Sequence, residues 1–548
     1  MDDKKIFESE ACGVFELIGE DAQAEEILTA GNSFFDKNYF GTRILILAPH
    51  PDDEINIAGN MILMLAAAKA EIFVAYSTDG GLEVPVEVRA REAINALKIL
   101  GVPEEKIIFM GYGDGQKLSD KTRQKFKRDL KNILLDLRAN IIFCVDFDSH
   151  ADHRNLSILF EEALGEILSE RNDYRPEVYK KFAYATAFTA APDFYSMNLH
   201  AVKKPKLGET DTYDFDFVDR ANYVWENRVR FPVKHFQTIL KDNPIAEAIF
   251  AHKSQRNEWN ALRVLNSDEI FFERRTDSQT FSAKVTATSG DAAKVKDFKI
   301  INATDTNISP AQIENHLWQP VDNQRKIFFE WAEPIQVRRI VIYGNLLDEE
   351  REKISLRLER ADSQAVIDND KIYLDNVKSF NVELPIRGRP LIIDTEKIFV
   401  TRAEISAPNV GKNFGLAEVE FFANAEPLHK IPPFIKLTAA DNFIYQYAVP
   451  YEVDKISLGL YRFHVDSPVK VTATAGDENI LSEVMTDDEL ILNFGKTTEI
   501  VVTAEALGDL SIYDRVIIRR VGDFAQIQLK IWQWLDKLRV HKIRKVDK

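Results

Sequence analysis

The chain has 548 residues, too many for one ordinary domain, and its length suggests about three or four domains. Hydrophobic residues make up 45% and charged residues 29%, which is typical of globular proteins with a substantial core. The net charge of −17 argues against a nucleic-acid-binding protein, because such proteins need positive surface to displace the counterions of the phosphates.

The sequence lacks the usual features of secreted and membrane-spanning proteins. Its two cysteines cannot form a disulfide framework, and the apolar residues around Cys144 predict a reduced, buried thiol. The N-terminus is acidic and polar and is not followed by the apolar segment of a secretory signal. No stretch reaches about 18 uninterrupted apolar residues, the length of a bilayer-spanning helix. We therefore expect a cytoplasmic protein.

The first half of the chain alternates short apolar runs with helical periodicity, the pattern of a parallel α/β sheet. Residues 1–40 are predicted to form a helical extension, and residues 41–277 a Rossmann-like α/β domain. Its predicted strands are residues 43–48, 71–77, 106–110, 140–146 and 182–188. Its predicted helices are residues 59–69, 88–100, 120–138 and 152–170. The irregular segment 189–230 is longer than a simple connection and is expected to contact a substrate or partner.

The second half changes to alternating strands separated by turn residues, as in β-sandwiches. Residues 278–426 are predicted to form one sandwich, and residues 434–520 a second, Ig-like one after a proline-containing linker. The clearest strands are residues 284–288, 338–343, 417–422, 469–474 and 498–503. Residues 521–548 are predicted to form a basic amphipathic helix. The expected fold class is thus a multidomain protein with a parallel-sheet α/β domain, two all-β sandwiches and a C-terminal helix.

Residue types that bind metals follow the first and fourth predicted strands. They are His50, Asp52 and Asp53 after the first strand, and His150, Asp152 and His153 after the fourth. In a doubly wound parallel sheet, the loops at the carboxyl ends of strands on either side of the switch point converge on one crevice. Segments that are distant in the sequence can therefore form one site there.

Two imidazoles and one carboxylate, with one position left open to water, are typical of a catalytic zinc centre. The spacing predicts His50, Asp53 and His153 as the ligands. Asp52 then points in a different direction and can act as general base on the attacking water. Zn²⁺ is the expected ion, although this ligand set also suits Fe²⁺.

The second loop offers two further functional groups. A protonated His150 could stabilise the tetrahedral oxyanion or protonate the leaving amine, and Asp152 could hold an imidazole in the required tautomer. Taken singly, such residues have ordinary roles, a histidine in a core or on a surface and an aspartate as a helix N-cap. Their recurrence at two strand ends of one sheet favours the metal site.

Several short motifs of this half belong together. They are P-H-P-D-D-E at 49–54, T-D-G at 78–80, R-x-x-E at 89–92, L-G at 100–101, G-Y-G-D-G at 111–115, H-A-D-H at 150–153 and H-K-S-Q at 252–255. With them, the first half of the chain resembles the PIG-L/LmbE family of zinc-dependent de-N-acetylases, which hydrolyse N-acetylglucosaminyl lipids and related glycosides. Pro49 stands where that family usually has alanine.

The resemblance implies the same ligands, base and electrophilic histidine, and it adds Arg89 and Asp114 as contacts to sugar or glycoside hydroxyls. Each of these two has an alternative role. Arg89 could pair with Glu92 on the surface of its helix, and Asp114 could serve only its turn between glycines. For His252 in the H-K-S-Q motif, we expect a structural hydrogen bond.

Residues 280–425 resemble, more faintly, the discoidin-type galactose-binding sandwiches. The resemblance depends on W-Q-P at 318–320, F-F-E-W at 328–331, I-V-I-Y at 340–343 and G-L-A-E at 415–418. Such modules often bind glycans through aromatic residues in loops. For Trp318 and Trp331, burial in the core is the expected role.

The predicted C-terminal helix is rich in lysine and arginine and carries Trp532 and Trp534. A basic amphipathic helix with aromatic residues can lie on an anionic membrane, which would suit a lipid-linked sugar. The alternative is that its apolar face docks on a neighbouring domain or subunit. Peripheral contact with the inner membrane face and oligomer formation both remain open.

The sequence thus predicts a zinc-dependent N-acetylglucosaminyl de-N-acetylase that releases acetate and a free amine. Its substrate would be an N-acetylated sugar, a glycolipid or another glycoconjugate. One alternative is a glycan-binding or scaffold protein with a vestigial deacetylase domain. Another is a hydrolase of a different small amide conjugate.

Overall fold

The computed structural model describes most of the α/β and β domains. It covers residues 39–147, 150–181, 228–231, 244–255, 269–300, 317–345, 350–368, 371–386, 390–408, 414–427, 433–439 and 448–522, with Ser33, Ala183, Val410, Gly411 and Ile431. The helical extension predicted before residue 40 and the C-terminal helix predicted from 521 lie outside these residues, apart from a few positions. Most of the segment 189–230 also lies outside them.

The α/β domain is built on a seven-stranded sheet with the strand order β3-β2-β1-β4-β5-β7-β6. Its strands are β1 (Arg43–Ala48), β2 (Glu71–Thr78), β3 (Ile107–Tyr112), β4 (Ile141–Val145), β5 (Glu177–Lys181), β6 (Arg228–Phe231) and β7 (Glu269–Arg274). Strands β1 to β5 run parallel, and β7 pairs antiparallel with β5 and β6. The sheet is thus mostly parallel, as predicted.

Five helices accompany this sheet within the described residues. They are α1 (Asp53–Ala67), α2 (Val86–Ile99), α3 (Asp120–Leu137), α4 (Ala151–Glu170) and α5 (Pro244–Ala251), followed by a 3-10 turn at Lys253–Gln255. Strands β1 and β4 are almost wholly buried, because helices cover both faces of a parallel sheet. Cys144 is a free, buried cysteine in β4, as predicted.

The strand order reverses between β1 and β4, which pair directly in parallel. From β1 the chain moves to β2 on one side, and β4 continues to β5 on the other. The loops that follow β1 and β4 therefore leave the sheet at the same end, next to each other. This topology places the two predicted metal-binding loops at one crevice.

The strand that follows α4 differs from its prediction. The structure places β5 at Glu177–Lys181, while the predicted strand 182–188 lies almost wholly outside the described residues. The sequence of β5 does not predict a buried strand, because two of its five side chains are lysines. Lys180 is buried against Asp146, Ser157 and Glu161, and Lys181 is buried against Glu269.

Replacing Lys181 by methionine is expected to destabilise the α/β domain by about 3–5 kcal/mol, because Glu269 would keep its buried charge without the cation. Urea unfolding of the full chain measures this difference. The double variant Lys181→Met/Glu269→Gln should recover most of the loss, because glutamine carries no charge and can still accept the hydrogen bond of the buried Asn60 amide. Equal stability of the wild type and the single variant would contradict the expectation.

The second domain has one six-stranded antiparallel sheet in the order β11-β10-β12-β9-β13, with β8 paired to β9. Its strands are β8 (Lys284–Ala287), β9 (Lys326–Gly344), β10 (Lys353–Asp368), β11 (Lys371–Glu383), β12 (Pro390–Ser406) and β13 (Leu416–Phe422). A sandwich of two separate sheets was expected. The long strands β9 and β12 shift register twice where they pair, and such bulges let one sheet bend around its own core.

Trp318 and Trp331 belong to that core, as predicted. The indole N–H of Trp318 donates to the carbonyl oxygen of Ser289 at 2.8 Å, and that of Trp331 donates to the carbonyl oxygen of Gln279 at 2.9 Å. Both indoles are therefore structural, with the polar atom satisfied.

The third domain has two sheets, with the strand orders β14-β16-β19 and β15-β21-β20-β17-β18. The strands pair antiparallel, except that β15 runs parallel to β21. Its strands are β14 (Phe434–Ala439), β15 (Ala448–Pro450), β16 (Lys455–Phe463), β17 (Val469–Ala475), β18 (Glu478–Met485), β19 (Glu489–Asn493), β20 (Glu499–Ala506) and β21 (Asp509–Val521). Residues of both sheets, such as Leu458 and Val471, share one hydrophobic core. This arrangement is a two-sheet sandwich.

Aromatic contacts join both β domains to the α/β domain. The ring of Phe231 in β6 lies 5.9 Å from that of Phe434 and 5.3 Å from that of Phe463. The guanidinium of Arg275 lies 3.8 Å from the ring centre of Phe422. Among the described residues, no helix is both long enough and apolar enough to cross a bilayer.

Candidate active site

Three imidazoles converge where the loops after β1 and β4 meet. The ring centres of His50 and His153 lie 5.2 Å apart, those of His50 and His150 lie 4.9 Å apart, and those of His150 and His153 lie 4.8 Å apart. The structure thus brings together the predicted ligands from both loops. His50 and His153 are buried, whereas the His150 side chain is 38% exposed and forms the open side of the cluster.

Asp53 lies between the two buried imidazoles. Its Oδ2 is 3.0 Å from Nδ1 of His50 and 3.2 Å from Nε2 of His153. Burial disfavours the charged form of Asp53, but the charge and hydrogen bond of His153 and the hydrogen bond of His50 outweigh it. They hold the pKa of Asp53 well below its usual value. This carboxylate therefore stays ionised, the form that a metal ligand requires.

The opposite nitrogen of His50 faces two further carboxylates. Its Nε2 is 3.2 Å from Oδ1 of Asp114 and 3.3 Å from Oδ2 of Asp152. Asp152 also accepts a hydrogen bond from the backbone N–H of Gly115 at 2.8 Å, which fixes its orientation. A carboxylate at Nε2 keeps the proton on that nitrogen and leaves Nδ1 as a metal donor.

Two compact groups of donor atoms fit a metal ion among the described residues. One is His50, His150 and His153, and the other is His50, Asp114 and Asp152. The predicted set differs from the first group in using Asp53 instead of His150. Asp53 contacts both buried imidazoles, but His50, Asp53 and His153 are not one of these compact groups, so this ligand set stays a prediction.

Asp52 has a strained backbone. It precedes α1 with φ 142° and ψ −23°, a region that residues with a side chain rarely adopt. Burial raises the pKa of its carboxyl to about 6, and the charge of Asp53 adds to this while the cation of Arg89 opposes it. A strained acid with a raised pKa beside metal-binding groups is a typical feature of a catalytic site.

Arg89 extends from α2 toward Asp52. It donates to the carbonyl oxygen of Pro51 at 2.6 Å, to Oδ1 of Asp52 at 3.2 Å and to the carbonyl oxygen of Gly80 at 3.4 Å. Arg89 does not form the surface ion pair with Glu92 that was its alternative predicted role. Its predicted contact with sugar hydroxyls stays a prediction.

Two functional positions were missed by the sequence argument. Glu54 is fully buried and accepts a hydrogen bond from the backbone N–H of Asp52 at 2.9 Å. Thr78 donates from both its N–H and its hydroxyl to the carbonyl oxygen of Pro49 at 2.9 Å. Both belong to the motifs quoted above, but only the fold shows that they hold the loop that carries Pro49 and Asp52.

Residues 45–164 match the PIG-L family, described as GlcNAc-PI de-N-acetylase. This PIG-L match contains most of β1, all of β2 to β4 and all the residues placed at the site so far. No curated protein matches the sequence. The resemblance noted from the motifs is thereby confirmed for this part of the chain.

Solved structures resemble parts of this chain at low identity. N,N'-diacetylchitobiose deacetylase from Pyrococcus horikoshii is 18% identical, over 48% of this chain and 93% of its own, with a TM-score of 0.28. The 4-carboxy-2-hydroxymuconate hydratase GalB from Pseudomonas putida is 17% identical, over 40% and 83%, with a TM-score of 0.25. A family 32 carbohydrate-binding module from Clostridium perfringens is 12% identical, over 26% and 93%, with a TM-score of 0.18. At these scores the likenesses assign no function.

Proposed function

We propose that this protein is a metal-dependent amide hydrolase that removes the N-acetyl group from an N-acetylglucosamine-type sugar or glycoconjugate. The products would be acetate and a free amine. The observation that carries the proposal is the position of Asp53, whose Oδ2 lies 3.0 Å and 3.2 Å from the ring nitrogens of His50 and His153. His50 lies in the loop after β1, Asp53 begins α1 and His153 lies in the first turn of α4. Both loops leave the sheet at its switch point, where such folds bind ligands.

His50, Asp53 and His153 are the proposed ligands of a zinc ion. Zinc bonds of about 2.0–2.2 Å in a tetrahedral site place neighbouring donor atoms about 3.3–3.5 Å apart. The separations from Asp53 are close to this spacing, and one carboxylate with two imidazoles is a common set of three protein ligands. Iron(II) would also accept it. When bound, the ion would polarise the amide carbonyl and lower the pKa of the attacking water.

The residues around these ligands would carry the proton transfers. Asp52 is the proposed general base that takes a proton from the attacking water, with Arg89 holding its Oδ1 at 3.2 Å. His150, on the open side, would stabilise the oxyanion or protonate the leaving amine. Asp152 would fix the His50 ring. Asp114, half-buried next to it, would contact a sugar hydroxyl.

We propose a cytoplasmic enzyme whose second and third domains hold a substrate carrier or partner. Both domains contact the α/β domain through the aromatic contacts of Phe231 and Arg275. Such contacts would keep them at a fixed position relative to the site.

Metal analysis and an acetate-release assay test the proposal together. The full chain should purify with about one zinc or iron ion and should release acetate from at least one member of a panel of N-acetylated glycosides. Asp52→Ala is the inactive control. A metal-free protein that remains so after incubation with zinc would favour the scaffold alternative. A metal-loaded protein that releases acetate from no glycoside would favour another amide as substrate.

A further inference from the structure

Asp52 is held at two separate points. Its backbone N–H donates to Oε2 of Glu54 at 2.9 Å, and its carboxylate accepts from Arg89 at 3.2 Å. A backbone with φ 142° at a residue other than glycine needs such fixed contacts, because the conformation is unfavourable by itself. Whatever keeps Glu54 and Arg89 in place therefore also keeps Asp52 in place.

The Glu54 side chain is held by a residue near the C-terminal end of the α/β domain. Its other oxygen, Oε1, lies 2.8 Å from Nε2 of His252, which is 198 residues away along the chain. Glu54 and His252 are 0% and 1% exposed, so water does not compete for this hydrogen bond. The His252 backbone is itself fixed, because its N–H donates to the carbonyl oxygen of Ile249 and its carbonyl accepts from Gln255.

The same turn also fixes the helix that carries Arg89. Ser254 donates from its N–H to Oε1 of Glu92 at 2.8 Å and from its hydroxyl to Oε2 at 2.6 Å. Glu92 lies in α2, three residues after Arg89. Two residues of one turn, His252 and Ser254, thus contact the two elements that hold Asp52.

We propose that His252 and Ser254 are positioning residues that act together on the base Asp52. His252 acts through Glu54 on the Asp52 backbone, and Ser254 acts through Glu92 and α2 on the Arg89 guanidinium. Neither residue needs to touch the substrate. The inference rests on the proposed function only in treating Asp52 as the base, since the contacts themselves do not depend on the reaction.

The test compares His252→Leu with His252→Gln in the full-length, zinc-loaded protein. Leucine removes the donor to Glu54 at similar size, whereas the glutamine amide can restore it. We expect kcat of His252→Leu to fall about 10- to 100-fold with KM within about twofold, as for other partners that orient catalytic groups. His252→Gln should recover most of the rate. Zinc content should be unchanged in both.

Crystal structures of the wild type and His252→Leu provide a readout that does not need a substrate. In the variant, Asp52 should leave its positive φ, and the hydrogen bond from its N–H to Glu54 should be lost. If Asp52 keeps that conformation and its contact with Arg89, or if kcat is unchanged, the proposal is overturned.

Failure of the proposed function would look different. The wild type would then release no acetate, while the crystal structures would still decide whether His252 positions Asp52. If His252→Leu does not fold, Ser254→Ala serves for the same comparison. It should lower kcat less and shift the Arg89 contact, and an unchanged kcat together with an unchanged Arg89 contact would overturn the proposal.

Discussion

Alanine at Asp53 is expected to remove the bound metal, whereas alanine at His150 is expected to leave the metal in place. Asp53 contacts the nitrogens of both buried imidazoles, and its pKa is held low enough for a permanent carboxylate. His150 is partly exposed, and its Nδ1 accepts from the backbone N–H of Asp152 at 3.3 Å. The two variants therefore separate the predicted ligand set from the set of three histidines.

Metal content per chain measures the difference, with acetate release as the second readout. Asp53→Ala should fall from about one ion per chain to nearly none and lose at least about a thousandfold in rate, because a catalytic ion supplies several kcal/mol. His150→Ala should keep the ion and lose about 10²–10³ in kcat, the cost of one oxyanion contact. If His150→Ala loses the metal and Asp53→Ala keeps it, the ligand set is the three histidines and our assignment is wrong.

Most of the α/β fold could be predicted from the sequence because its strands are continuous apolar runs. Strands β1 and β4 were placed within a residue or so, and α3 likewise, because buried parallel strands and amphipathic helices have distinct periodicities. Helix α1 begins at Asp53, but its backbone leaves helical geometry at Ala58 (φ −148°, ψ 22°), and the predicted start at Gly59 follows directly after this kink. Strand β5 was missed because its buried lysines are paired with acids that are remote in the sequence.

The candidate site, like the fold, could be predicted from the sequence only in part. The topology argument places His50, Asp53 and His153 together because the loops at a switch point must meet, and this needs only the strand order. The side chains that hold Asp52 could not be predicted from the strand order. Arg89 turns to Asp52 rather than to its helix neighbour Glu92, and His252 contacts Glu54 from 198 residues away. Such contacts depend on how helices pack, which the periodicity of a single segment does not contain.

Asp52→Asn is expected to lower kcat about 10²- to 10⁴-fold while leaving metal content unchanged, because asparagine keeps the shape of the side chain but cannot accept the proton. Asp52 is part-buried beside the ligands without being one of those predicted, so its loss should affect the reaction and not the ion. Asp79→Asn is a matched control. That acid follows β2 at the same end of the sheet and accepts only from the N–H of Gly81 among the hydrogen bonds of the described residues, so its rate should stay within about threefold of the wild type. Full activity of Asp52→Asn would transfer the role of base to another group, and His150 would be the first candidate because its titratable side chain lies on the open side of the imidazole cluster.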